Sequence, residues 1–374
     1  MDTHKVMTRK ETRVVKIGKI KIGGGNLVSV QSMTQTKTYD VDSTVKQIHL
    51  LENAGCEIIR VATSDMQSAK AIGEIKKQIH IPLVADVQFQ YLCALEAIKQ
   101  GVDKIRFNPG NIGSKEKVEA IVNACKDKNI PIRIGINMGS LEKDLFEKYG
   151  KYGVPRVMLE SATRHIKILE DLKFYDIVIS LKGSDVNITK EAHLLFASRF
   201  NYPLHVGITE AGPVWSGTIK SAVGIGSILS EGIGDTIRVS ISGDPQEQVR
   251  IGWEILKTLK LRQKGVEIIS CPTCGRTEID LIGLAAKVDT MLKLVDAPIK
   301  VAVMGCVVNG PGEASFADIG LCGGKKQAAI IKQGRVVKTV HEKEMLRVFI
   351  EEIKKVLKEK KFEKEIKNIR NKYE

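Results

Sequence analysis

The chain has 374 residues, 43% of them hydrophobic and 27% charged, and a formal net charge of +14. That length exceeds what one hydrophobic core normally supports, so two domains are expected, and so ordinary a globular composition excludes a disordered or fibrous chain. No apolar run approaches a membrane span, residues 1–10 carry no apolar signal segment, and seven cysteines in so long a chain do not suggest a disulfide framework, so a cytoplasmic protein without a membrane role is expected.

Residues 13–21 read as a hairpin able to plug the bottom of a barrel. From residue 26 to 262 one rhythm repeats: a short β-branched run, a polar or Gly-rich end, then an amphipathic helical stretch. The runs are 27–34, 58–63, 82–87, 104–108, 131–137, 177–182, 203–209 and 236–242. The helical stretches are 43–54, 67–78, 91–100, 115–127, 160–172, 190–200, 220–230 and 246–262. Eight strands alternating with helices predict an α/β fold, a (β/α)8 TIM-type barrel, rather than an open sheet. A dinucleotide fold fails on its own motif, because Leu229 stands where the third glycine after Gly224 and Gly226 should be.

Beyond Gln-Lys-Gly at residues 263–265 the order changes. A strand at 266–270 leads to a cysteine loop and a helix carrying Leu281, Leu284, Val288, Met291, Leu292 and Val295. A strand at 300–304, a Gly-rich loop, a hairpin around 332–335 and a charged C-terminal helix follow. The expected division is 1–263 for the barrel and 264–374 for a small α+β domain.

The ends of barrel strands and the loops after them form the active site in this architecture. Those positions are strongly polar here: Arg60, Asp86, Arg106, Asn108, Arg133, Asn137, Lys182, Ser184, His205, Thr209, Glu210, Arg238 and Ser240. With a two-residue period, Arg106 and Asn108 share a face, as do Arg133 and Asn137, Lys182 and Ser184, and Arg238 and Ser240. If these faces point inward, guanidinium groups crowd one cavity, which is costly unless an anion meets them. A small, doubly phosphorylated substrate is the economical inference, since the planar guanidinium fork matches phosphate oxygens. The competing reading is an internal ion-pair network with Asp86, Glu210 and Glu231. Glu210 and Glu231 are candidate general acids or bases, and His205 is either a ligand contact or a packed core histidine.

Cys271 and Cys274 are two residues apart, and Cys306 follows an apolar strand. This spacing suits an iron–sulfur or zinc site. Zinc would want a second close pair, which the chain lacks. Three thiolates with a weaker fourth ligand suit a cluster with one reactive iron; Glu313 and Cys322 are the rivals for the fourth place. Cys56, Cys93 and Cys125 sit on apolar helical stretches and read as core.

Three motifs together, Cys271-Pro-Thr-Cys-Gly-Arg276, Cys306-Val-Val-Asn-Gly-Pro-Gly-Glu313 and Glu231-Gly-Ile-Gly-Asp-Thr-Ile-Arg-Val-Ser240, resemble the 4-hydroxy-3-methylbut-2-enyl diphosphate synthase family in its shorter, two-domain bacterial form. Val30-Gln-Ser-Met-Thr34, Arg106-Phe-Asn-Pro-Gly-Asn111 and Arg133-Ile-Gly-Ile-Asn137 extend the likeness along nearly the whole chain. The resemblance implies reductive ring opening and dehydroxylation of 2-C-methyl-D-erythritol 2,4-cyclodiphosphate in isoprenoid precursor biosynthesis. Two electrons would come from ferredoxin or flavodoxin through a [4Fe-4S] cluster. By motif, Cys271, Cys274, Cys306 and Glu313 would hold the cluster. Arg60, Arg106, Arg133, Lys182 and Arg238 would hold the diphosphate, with Asp86, Asn108 and Asn137 nearby, and Glu231 would be the acid/base carboxylate. It also implies a homodimer in which one subunit's cluster domain closes over the other's barrel. Two other classes remain in view: a basic, zinc-containing nucleic-acid-binding protein, and a barrel transferase with a structural metal domain. Against the former, the lysines are scattered and aromatic residues are only 5% of the chain, poor for base stacking.

Overall fold

The computed structural model describes residues 8–370, and the chain divides into two compact units after Arg262. The first opens with a hairpin, β1 (Val15–Ile17) and β2 (Ile20–Ile22). Eight strands follow: β3 (Ser29–Met33), β4 (Ile58–Ala62), β5 (Leu83–Asp86), β6 (Lys104–Phe107), β7 (Ile132–Asn137), β8 (Ile177–Lys182), β9 (His205–Val206) and β10 (Thr236–Ile237). All pair in parallel, in the order β8-β7-β6-β5-β4-β3-β10-β9. A parallel bridge between Ile179 and Leu204 brings β8 against β9, so the sheet comes round on itself as the expected barrel.

The helices are α1 (Val41–Asn53), α2 (Met66–Gln78), α3 (Tyr91–Lys99), α4 (Pro109–Ile112), α5 (Lys115–Lys128), α6 (Lys143–Tyr149), α7 (Val154–Asp171), α8 (Val186–Arg199), α9 (Val214–Leu229) and α10 (Pro245–Thr258). Several start on an aspartate: the side chains of Asp40, Asp65, Asp185 and Asp244 accept from the first-turn amides of α1, α2, α8 and α10. Helix α7 begins earlier than the predicted 160–172, because Pro155 sits in its first turn, where a missing N–H has no helical partner to lose. The predicted strands at 203–209 and 236–242 shorten to two residues each. Here β9 and β10 run so close that a Cβ on Gly207 would stand 2.4 Å from the Arg238 carbonyl oxygen.

Strand alternation divides the barrel's side chains. Ile59, Val61, Leu83, Ala85, Ile105, Ile132, Ile134, Ile177 and Ile179 pack among the helices. On the other face, Ile58, Val84 and Val178 meet Val15, Ile17 and Ile22 of the hairpin, which closes the end where the strands begin.

The second unit is a five-stranded sheet in the order β11 (Glu267–Ser270), β12 (Lys300–Met304), β13 (Ile319–Gly324), β14 (Gln327–Lys332) and β15 (Arg335–His341). The first three run parallel and the last two antiparallel. Gln333 and Gly334 both take positive φ, the turn that suits the twist of a tight hairpin. Helices α11 (Leu281–Leu292) and α13 (Met345–Glu359) pack on one face; the short α12 (Gly310–Ala314) packs on the other against Ala302, Met304 and Cys322. Helix α13 buries Met345, Phe349, Ile350, Ile353, Val356 and Leu357, as their spacing predicts.

Ile17 is fully buried in the hairpin plug. Ile17→Ala should cost about 2–5 kcal/mol as a large-to-small core change. Urea unfolding should show a lowered midpoint with the far-UV spectrum retained, whereas an unmoved midpoint would mean that the hairpin adds nothing to the barrel's stability.

Candidate active site

The strand faces that point away from the helices carry charge. Arg60, Asp86, Arg133 and Lys182 are 9%, 7%, 1% and 7% exposed, so their charges are buried rather than solvated. Arg106 Nη1 donates to Asp86 Oδ1 at 2.8 Å, Arg60 Nε lies 3.5 Å from Asp86 Oδ2, and Arg133 Nη1 reaches Gln31 Oε1 at 3.4 Å. Glycines make room for these groups. A Cβ on Gly135 would stand 2.6 Å from Arg106 Nε, and one on Gly207 would stand 2.9 Å from Lys182 Nζ.

Burial works to raise the Asp86 pKa, but Arg60, Arg106 and Arg133 overcome it and hold the carboxyl below its usual range. Burial, then Arg133 and Arg238, hold Lys182 well below the ordinary lysine value. Burial, then Arg60, bring Arg238 down to about 9. Asp86 is the one carboxylate these cations share among the described residues, so the interior carries excess positive charge. Such a cavity favours an anion.

The rim is polar. Asn108 follows β6, and its Oδ1 accepts from the Gly110 amide at 3.2 Å, capping α4. Asn137 ends β7, and Ser184 and Ser240 lie in the loops after β8 and β10. His205 lies deeper, fully buried at the start of β9. Glu210 stands exposed in the loop after β9, its backbone at φ 52°.

Glu231 requires a correction. It follows α9 and precedes β10, so it lies where strands begin, opposite to the arginine-bearing mouth. Lys10 N–H donates to the neighbouring Gly232 carbonyl at that end, and the Glu231 carboxylate pairs with Lys190 at 2.8 Å. Its motif runs on into Arg238 and Ser240, which do belong to the mouth; the strand between them carries the chain from one end of the barrel to the other. Of the two candidate carboxylates, Glu210 is the one at the mouth. Lys104, singled out in the sequence only as a strand start, also belongs to the inward set: it shares the two-residue period of Arg106 and Asn108, a signal that was available.

In the second unit, neighbouring parallel strands β11 and β12 deliver Cys271 and Cys306 at adjacent ends, with Cys274 beyond the first and Glu313 on α12. The Cys306 thiol is lowered by the backbone amides of Asn309, Val308 and Gly310, and the Cys274 thiol by Arg276, which favours thiolates. Cys322 is buried in β13 and its thiol is pushed up to about 12 by burial, as suits a core group. Among the described residues, the one trio of His, Cys, Asp or Glu donors close enough to share an ion is His49, Glu52 and His80, on the barrel unit, and there Glu52 already accepts from the His80 and Ile81 amides.

The GcpE TIM-barrel domain matches residues 12–253, and the GcpE protein C-terminal domain matches residues 267–355. The chain is 57% identical over 351 residues to the 4-hydroxy-3-methylbut-2-en-1-yl diphosphate synthase (flavodoxin) of Clostridium perfringens, covering 94% of this chain and 99% of that protein. It is 56% identical over 354 residues to the enzymes of the same name from Geobacillus thermodenitrificans and Caldanaerobacter subterraneus, covering 95% of this chain and 94% and 99% of theirs. With both domains matched in order and over most of its length, the chain belongs to the GcpE family.

Proposed function

We propose that the chain is an oxidoreductase that converts 2-C-methyl-D-erythritol 2,4-cyclodiphosphate to 4-hydroxy-3-methylbut-2-enyl diphosphate. Two electrons and two protons enter, one C–O bond to the diphosphate and one to a hydroxyl break, a C=C bond forms, and water leaves. The observation that carries the reading is the buried cationic excess of the barrel, where among the described residues Asp86 is the one carboxylate amid Arg60, Arg106, Arg133 and Arg238, with Lys182 beside them. A nucleic-acid reading would want such charge on the surface.

In this reading the unit ending at Arg262 binds substrate and the unit beginning at Gln263 holds a [4Fe-4S] cluster. Cys271, Cys274, Cys306 and Glu313 are the proposed ligands, supported by the lowered Cys274 and Cys306 thiols and by the adjacent ends of β11 and β12. When bound, such a cluster supplies electrons and a Lewis acid for the departing oxygen. The arginines and Lys182 fix the diphosphate, orient the ring and displace water from it. Asn108, Asn137, Ser184 and Ser240 offer neutral hydrogen bonds at the rim, and His205 lies below. Glu210, rather than Glu231, is the proposed proton-exchanging group for the leaving oxygen, supported by its position in the loop after β9. The relatives' name points to flavodoxin as donor, with ferredoxin the alternative. A homodimer is supported by the exposed helical stripe Trp215, Ile219 and Val223 on α9. A cytoplasmic site of action suits an enzyme of this kind, and no helix among the described residues is long and apolar enough to cross a membrane.

Anaerobically prepared protein should be brown and turn over the cyclic diphosphate with reduced flavodoxin, and Cys306→Ser should lose both properties. Colourless protein with stoichiometric zinc and no turnover would overturn the reading. Arg133→Ala should weaken substrate binding roughly ten- to hundredfold, as expected for a lost charge-assisted hydrogen bond, while the melting temperature holds. Unchanged affinity with lowered stability would instead make the interior a structural ion-pair network. Glu210→Gln should cut kcat about a hundredfold or more, the usual range for a general acid–base group, and Glu231→Gln should leave it near wild type. The reverse result would restore Glu231 to the site.

A further inference from the structure

Beneath the arginines the barrel holds a second polar tier. Lys104, at the start of β6, is fully buried, and its Nζ meets no hydrogen-bond partner. His205 is equally buried with both ring nitrogens unpartnered. Thr236, beside it in register, leaves its Oγ1 unpartnered, and Gln31 leaves its Nε2. Buried polar groups normally find partners, so a cluster of unpartnered ones calls for an explanation.

The surroundings supply one. Arg60 from β4 and Arg133 from β7 act on both Lys104 and His205, Lys182 from β8 acts on His205 of β9, and Asp86 from β5, Arg106 from β6 and Arg238 after β10 stand about Arg133 above them. Strand β3 adds the neutral Gln31. The hairpin below contributes only apolar Val15, Ile17 and Ile22. Asp86 is already committed to Arg60 and Arg106. An ammonium at Lys104 would therefore stand dry, unpaired and among like charges, and burial followed by Arg133 and Arg60 holds this amine well below its usual range. His205 is held low by burial, then Lys182, Arg133 and Lys104. A docked anion reverses the local field.

We propose that Lys104 is a proton-accepting member of the anion site: a neutral amine in the free protein, it takes a proton from solvent when a diphosphate docks on the arginines above it. The choice of ligand rests on the substrate reading above. The cyclic diphosphate suits the measurement, because each phosphorus keeps one strongly acidic oxygen and nothing on the molecule titrates near neutrality. Any proton taken up therefore enters the protein. Between the amine's pKa values in the free and occupied states, the dissociation constant rises roughly tenfold for each pH unit of increase, the linkage expected for one proton.

Titration calorimetry in buffers of different ionisation enthalpy reads this directly, with the cyclic diphosphate and, separately, inorganic diphosphate corrected for its own titration. Wild-type protein should take up about one proton per site near neutral pH. Lys104→Met should remove most of that uptake and flatten the pH dependence of affinity, while His205→Gln should keep both. Absence of buffer dependence in the wild type overturns the proposal whatever the variants do. Uptake kept in Lys104→Met overturns the assignment to Lys104, whether His205→Gln removes it or Lys182, held low by the same burial and by Arg133, carries it instead. If only inorganic diphosphate binds, with Lys104-dependent uptake, the substrate reading falls and this one stands. If neither binds, both fall.

Discussion

Buried cations without enough carboxylate are the constraint on which the barrel turns. A closed parallel barrel must fill its interior with side chains, and most do so with branched apolar residues. Here only the lower layer is apolar, where Ile58, Val84 and Val178 meet the hairpin. Above it the same inward positions carry Arg60, Asp86, Arg106, Arg133 and Lys182. Folding must therefore desolvate charge that it cannot fully pair. The outward faces of those strands, with Ile59, Val61, Ile105, Ile132 and Ile134 packed among helices, supply burial to offset that strain. The arginines are preorganised for an anion that the polypeptide does not itself provide.

The second unit addresses a different problem with similar economy. Parallel strands β11 and β12 end side by side, so one pair of loops brings together thiols far apart in the chain. Backbone amides at the start of α12 lower the Cys306 thiol, and Arg276 lowers that of Cys274, without either needing a buried base. The sheet's other face is ordinary core under α11 and α13. The candidate ligands occupy one end of the sheet while stability is supplied by the face beneath the two long helices.

Most of this was legible because the relevant signals are periodic. Alternating strands and helices announce the barrel, and the two-residue period puts Arg106 with Asn108 and Arg133 with Asn137. The same period would have drawn in Lys104. What failed was inference along the chain where the barrel demands inference along its axis. Glu231 and Arg238 share a motif, yet a strand runs between them, and the strand's length separates one end of the barrel from the other. Glu210, on the loop after β9, is farther in sequence from Arg238 but on the same side. The brevity of β9 and β10 was hidden because β-branched residues continue past the last ladder pairing. Helix α7 starts at Val154, ahead of the expected residue 160, because Pro155 suits a first helical turn.

The hairpin of β1 and β2 has a kinetic corollary. By stoppering one end of the barrel with Val15, Ile17 and Ile22, it leaves a ligand only the end where the strands finish. A molecule seated there has one doorway, and a product that keeps its diphosphate must leave by the path its successor needs. On the reading proposed above, release of such a product requires the guanidinium grip to relax.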